Sequence, residues 1–319
     1  MNRYAAADGK SNAPLVERYA IKKAKMEPTS KAQRASERLF KFVMLGPAVL
    51  WVIAFTFFPI FSAVNYSFAN YVLGRGITNY VGFRNYYTAL TDPGFWHSLL
   101  ITVIYVGVAV PLEVCIGFLL AWIITVGLPG KSIFRSILTA PLFTMEVAIG
   151  YLGVTLFTSE GGLVSALLNL IHVQIPWMST GEGGLAAAIL LDVWQWTPFV
   201  FLMALAALGS IPDEIYDAAM LEASTHWQVL RHVGLPLAWP VLTVAILLRV
   251  IEGLKSFGLP FALTSGGPGT STQLFSIMNY LVTIQFFDFG RGSAMGILYL
   301  IMVSVIIAVF FQQMRKRID

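Results

Sequence analysis

The sequence predicts an all-α, polytopic membrane protein with six transmembrane helices. Three observations predict it: a scarcity of charge, six apolar runs of spanning length, and basic residues crowded toward the ends. Of the 319 residues, 57% are hydrophobic and only 12% charged, against about 25% charged in an ordinary soluble domain. A long chain with so little charge needs a solvent other than water around much of its surface.

Residues 1–41 read as a basic tail that carries ten of the 21 Lys and Arg. The positive-inside rule holds such a tail on the cytoplasmic side. Aromatic residues do not interleave with the basic ones, so no nucleic-acid partner is expected. The part before Arg38 is polar, and partial disorder or an exposed helix is expected there. The first apolar run begins near Phe42 and is long enough to span, so a cleaved signal peptide is not expected.

Residues 42–319 form the transmembrane domain. A helix crossing the hydrocarbon core needs about 20 mostly apolar residues. The six candidates are Phe42–Val64, Ser98–Val126, Phe134–Phe157, Leu185–Gly209, Leu237–Leu254 and Ala294–Phe311. Pro47, Pro59 and Pro111 lie inside them, which predicts kinked helices whose freed carbonyls are satisfied by neighbours. An even number of spans puts both termini on one side. Arg315, Lys316 and Arg317 lie in the C-terminal tail, and Lys131 and Arg135 lie in the second loop, so both termini are expected to be cytoplasmic. Trp96, Trp177 and Tyr80 fall where amphipathic rings settle at the outer interface. Cys115, the single cysteine, has no disulfide or metal partner at useful spacing, and core packing is its expected role.

The fourth loop, 210–236, is too regular to be a simple connection. Ser210, Pro212 and Asp213 signal a helix start, and its acidic first turn suits the positive end of the helix dipole. Ser224 and Thr225 signal a second start, and Gly234 and Pro236 a stop. Two short helices joined at an angle are expected. Ala218, Ala219 and Ala223 predict a thin face able to enter a groove on a partner, with Asp217 and Glu222 available to basic groups there. A surface helix on the membrane is the plainer alternative, though such a helix is usually richer in Lys and Arg.

This loop resembles the coupling motif of binding-protein-dependent ABC importer permeases: Glu-Ala-Ala, three residues, Gly, nine residues, Ile-x-Leu-Pro. Asp217-Ala218-Ala219, Ala223, Val233, Leu235 and Pro236 stand at its spacing. Asp replaces Glu, and Ala replaces Gly, which puts a tight left-handed turn at Ala223 in doubt. Trp194-Gln195-Trp196-Thr197-Pro198-Phe199 resembles a stretch of the carbohydrate branch. So do Ser256-Phe257 and Leu263-Thr264-Ser265-Gly266-Gly267-Pro268, as in permeases of the maltose and glycerol-phosphate type.

The resemblance implies a type I importer permease fold without catalytic residues or cofactors of its own. It further implies a second permease subunit, two ATPase subunits that use ATP and Mg, a solute-binding protein, and a bacterial inner membrane around the spans. The implied cargo is a sugar, with polyols, glycerol phosphate, polyamines and peptides as alternatives. Asp217, Ala218, Ala219, Glu222, Ala223, Leu235 and Pro236 are the implied coupling residues.

Charges at membrane depth are costly and usually face a cavity or a partner. Glu113, Glu146, Asp192, Arg249 and Glu252 lie in or near the apolar runs. By resemblance the substrate path includes Gln195, Trp196, Phe199, Arg249, Glu252, Gly253 and Ser256, with Glu146 and Asp192 as further candidates. Trp196 and Phe199 suit stacking on a sugar ring, and Gln195 and Ser256 suit its hydroxyls. Plainer readings stand beside these. Arg249 and Glu252, three apart, can pair on one helix, and Asp192 or Glu146 can neutralise Arg249. An Arg249 facing the path would suit an anionic sugar. A membrane enzyme or a channel is the rival class. However, His97, His172, His226 and His232 are scattered, and no His-Glu-x-x-His or Gly-rich nucleotide loop occurs.

Overall fold

The computed structural model describes residues 31–127, 130–223 and 225–315. Residues 1–30, most of the basic tail, lie outside them. The chain divides into two units, Met1–Ser62 and Ala63–Asp319. The first consists, where described, of residues 31–62 of helix α1, which runs Lys31–Ser67 with Pro47 and Pro59 inside it and ends within the second unit. Its stretch Phe42–Ser67 is long and apolar enough to cross a membrane.

The second unit opens with features the apolar pattern does not disclose. A hairpin pairs β1 (Ala69–Val72) with β2 (Gly76–Tyr80) antiparallel. Its turn uses Gly74 and Gly76 at positive φ, where a Cβ would be strained. Helix α2 (Arg84–Thr91) is tied back by Asn85, which donates to the carbonyls of Ser67 and Ala69 at 2.9 Å each.

The bundle is built from α3 (Pro93–Gly127), α7 (Gly181–Gly209), α10 (Leu235–Lys255) and α13 (Phe289–Arg315). Each belongs to a segment of spanning length. Helices in lipid gain little from apolar contact alone and approach closely where side chains are small. Gly117 of α3 does this: a Cβ there would lie 2.9 Å from the Phe201 backbone nitrogen and 3.1 Å from the Thr197 carbonyl, both in α7. One buried cluster gathers around Tyr105, Ile149, Leu191 and Leu259, and a second around Trp122, Phe201, Leu208 and Leu242.

The expected third span, Phe134–Phe157, is not one helix. Helix α4 (Lys131–Thr139) and a 3-10 turn through Phe143 are followed by α5 (Glu146–Phe157), with a bend of 99° at the break. Pro141 lies in the 3-10 turn and Thr144 is extended, so the α-helical hydrogen-bond ladder stops there. Beyond the break, α5 packs on α11 (Gly258–Thr264). A Cβ on Gly150 would lie 2.7 Å from the Leu259 carbonyl. Helices α6 (Leu163–Leu170) and α12 (Phe275–Tyr280) complete the connections.

Two smaller expectations fail. Trp177 is buried, its ring 4.9 Å from Phe157, instead of lying at an interface. Cys115 is exposed, not packed in the core, because its position on α3 faces away from α7. Trp96 and Tyr80 are exposed.

Candidate functional site

Two places combine unusual chemistry with unusual exposure: the elbow formed by residues 210–236 and a polar cluster midway along the bundle.

The elbow begins where α7 ends. The Ser210 hydroxyl donates back to the Ala207 carbonyl at 2.7 Å, so it closes α7 and does not cap the next helix. Helix α8 runs Asp213–Glu222 after Pro212, with Asp213 and Glu214 in its first turn. Tyr216 anchors it: its hydroxyl donates to the Leu208 carbonyl at 3.1 Å, and its ring lies 6.1 Å from that of Trp122. Burial, aided by the nearby Asp213 charge, pushes the Tyr216 phenol above its ordinary pKa.

Tyr216, Ala219 and Ala223 pack on the cluster beneath. The expected thin face of Ala218, Ala219 and Ala223 is therefore split. Successive residues are about 100° apart on a helix, and only Ala218 looks outward. The outward surface is Asp217, Ala218, Leu221 and Glu222, with Leu221 90% exposed. Ala223 leaves the helix at φ −93°, ψ 138°. That is extended backbone open to any residue, so the glycine of the family pattern is not needed for this turn.

Ser224 lies outside the described residues. Thr225 starts the next helix with a reciprocal cap: the Gln228 amide donates to its hydroxyl at 3.3 Å, and its own amide donates to Gln228 Oε1 at 3.2 Å. Helix α9 (His226–Val229) does not stop at Gly234 and Pro236 as expected. It continues through a π-turn, Leu230–Gly234, into α10, giving one segment His226–Lys255. The Leu235 amide reaches the Leu230 carbonyl. This wider turn accommodates Pro236, which has no N–H to give. A Cβ on Gly234 would lie 3.1 Å from the Trp122 ring, so the glycine serves packing. Leu235 is half-buried and Pro236 exposed.

The mid-bundle cluster centres on Arg249 of α10. Its Nε donates to Glu113 Oε2 at 2.5 Å, and Nη2 donates to Glu113 Oε1 at 2.7 Å and to Asp192 Oδ2 at 2.9 Å. The three side chains are 1%, 0% and 4% exposed. The guanidinium also lies 4.5 Å over the Trp196 ring, a cation–π arrangement. The anticipated Arg249–Glu252 pair does not form. Glu252 bonds Lys255 at 2.8 Å in an exposed pair, because an Arg pointing into the bundle cannot reach a residue on the outward side of its own helix. Asp192 does neutralise Arg249. Glu113 shares that role, which only the packing of α3 on α10 discloses.

Around this triad the other candidates have defined places. Gln195 Nε2 donates to the Thr144 carbonyl at 3.0 Å, satisfying the break before α5. Its Oε1 is buried without a hydrogen-bond partner among the described residues. Trp196 and Phe199 are half-exposed and meet edge-to-face at 6.2 Å. Gly253 is buried, and a Cβ there would lie 3.1 Å from Val106 of α3. The Ser256 carbonyl accepts from Ser276 Oγ at 2.5 Å. Glu146 stands in the first turn of α5 beside Gly258, whose added Cβ would lie 3.0 Å from its carboxylate.

The profile of the family "Binding-protein-dependent transport system inner membrane component" matches residues 23–318. The trehalose/maltose transport system permease protein MalF of Thermococcus litoralis is 31% identical over 294 residues, covering 91% of this chain and 98% of that protein. The sulfoquinovosyl glycerol transport system permease protein SmoG of Agrobacterium fabrum is 29% identical over 283 residues, covering 88% and 92%. Among solved structures, a bacterial ABC transporter that imports the acidic polysaccharide alginate superposes with a TM-score of 0.77 at 21% identity, covering 90% of this chain and 99% of that one. The same fold occurs in the alginate transporter in complex with an alginate pentasaccharide-bound periplasmic protein, at TM-score 0.77 and 21% identity over 89% and 96% of the chains.

Proposed function

Because the chain belongs to the family of inner-membrane components of binding-protein-dependent transport systems, we propose that it is the permease subunit of an ATP-driven sugar importer. ATP, with Mg, is bound and hydrolysed by two separate ATPase subunits. A second permease subunit completes the path, and a solute-binding protein delivers the cargo. Both termini and α8 lie on the cytoplasmic side, as the distribution of Lys and Arg favours.

The observation that carries this reading is the outward face of α8. A 90% exposed Leu221 between Asp217 and Glu222 is costly in water and suited to a protein surface with an apolar pocket and basic rim. Asp217, Ala218 and Glu222 enter the ATPase with Leu221. Ala219, Ala223 and Leu235 fix α8 to its own bundle, and the exposed Pro236 marks the start of α10.

The cargo is a neutral sugar of the trehalose or maltose kind. Arg249 is balanced by two carboxylates within 2.9 Å, so the cluster offers no spare positive charge to a sulfonate or uronate. Trp196, Phe199 and Glu146 line the path, with rings for the apolar face of the sugar and a carboxylate for its hydroxyls, while Gln195 and Ser256, nearly closed off from solvent, stand behind them.

Uptake of radiolabelled trehalose in cells carrying the complete transporter tests both parts. Unlabelled maltose should compete and a sulfonated sugar should not. Asp217→Lys should insert normally, yet lower uptake by roughly tenfold or more, the effect of losing an interfacial contact of about 1.4 kcal/mol or more. Normal uptake by that variant with the wild-type ATPase would refute the docking assignment.

A further inference from the structure

Helix α8 hangs between two spans. One end leaves α7 at Ser210; past the other, Ala223 is extended and α9 continues through the π-turn into α10. Any displacement of α8 therefore acts on both helices at once. Asp192 is 17 residues from Gly209, and Arg249 is 14 residues from Leu235. At 1.5 Å per residue both lie roughly 20–25 Å from the elbow. The ionic triad thus joins the far parts of the two arms.

Apolar contact gives lipid-embedded helices little resistance to sliding, because lipid is as apolar as their side chains. A guanidinium fork differs: its donors lie in one plane and meet a carboxylate in one orientation. Here the fork is filled by Glu113 of α3 at 2.5 and 2.7 Å, while the same Nη2 holds Asp192 of α7. Two glycines bring the backbones close enough for these bonds. Gly117, one turn from Glu113, seats α3 on α7. Gly253, one turn from Arg249, seats α10 on α3. Stability alone does not call for this arrangement, since well-packed apolar residues often serve as well as a buried ion triad. Cargo contact does not call for it either, since the three side chains are closed off from solvent.

We infer that Glu113 is a positioning residue. With Arg249 and Asp192 it clamps α3, α7 and α10 into one body, so that movement of α8 reaches the sugar path without being lost in sliding between helices. This rests on the importer reading above.

The test uses the complete transporter in lipid nanodiscs, with Cys115→Ser so that two new cysteines can be labelled. Spin labels at L190C on α7 and L248C on α10, both exposed positions, report the distance between the arms, without nucleotide and after trapping with ATP and vanadate. In the otherwise wild-type chain the distance should be the same in both states. With Glu113→Ala, and with the isosteric Glu113→Gln, it should shift or broaden on trapping. Stimulation of ATP turnover by the solute-binding protein should fall about fivefold or more, the range of a lost coupling between sites, while basal turnover persists. An inter-arm distance that shifts in the otherwise wild-type chain, or that stays fixed in both variants with normal stimulation, overturns the clamp alone. A wild-type chain that binds no ATPase subunits would sink the importer reading and the clamp with it.

Discussion

The elbow and the mid-bundle cluster invert the usual placement of side chains. At the elbow, Leu221 has 90% of its surface exposed. Midway along the bundle, a guanidinium and two carboxylates are withdrawn almost completely from solvent. Each placement is unfavourable in isolation. An exposed leucine on an acidic helix invites a partner, and charges at membrane depth require one. The difference is where the partner comes from. The triad finds its partners inside the chain, on three helices, and is complete. The outward face of α8 finds none among the described residues, since Tyr216, Ala219 and Ala223 take up the inner contacts.

The sharpest way to break this contrast is to remove the centre of the triad. Arg249→Leu leaves Glu113 and Asp192 buried and unpaired, which should cost about 3–5 kcal/mol. Folded yield and thermal unfolding in detergent should both fall. Replacing all three residues by leucine should restore much of that stability without restoring stimulated ATP turnover, which would separate holding from folding. Next in size, Leu221→Asp should leave the unfolding midpoint unchanged. It should also reduce ATPase subunits recovered with the chain by roughly tenfold, a loss of about 1.4 kcal/mol. A lowered midpoint would mean that Leu221 packs within its own chain. The smallest effect is expected at Thr225→Ala, which removes a reciprocal cap worth about 1 kcal/mol. Hydrogen exchange should quicken over residues 226–229 while that of α8 is unaltered.

Much of this molecule is legible in its order of residues. Apolar runs of spanning length locate five helices, and the third run, Phe134–Phe157, marks a real but broken segment. The Ser210–Asp213 pattern announces α8, and Thr225 caps its successor as its residue type requires. The misreadings share a cause. The single helix expected over Phe134–Phe157 breaks instead, and the break is satisfied by Gln195, on another helix, which supplies a donor to the Thr144 carbonyl. Gly234 and Pro236 look like a stop, but a π-turn and the Trp122 ring turn them into a continuation. Ala219 and Ala223 look like a docking face until the cluster beneath α8 takes them.

What the sequence determined by itself is therefore everything that follows from local periodicity and from solvent: the spanning lengths, the helix starts, the basic ends and the spacing of the coupling motif. What only the tertiary structure decided is pairing. Arg249 has a carboxylate three residues away on its own helix, yet it bonds Glu113, 136 residues earlier. Local spacing makes the Glu252 contact available, but burial makes it unfavourable. An ion withdrawn from water needs a fork-matched, equally buried partner, and which carboxylates are buried is set by how three helices pack.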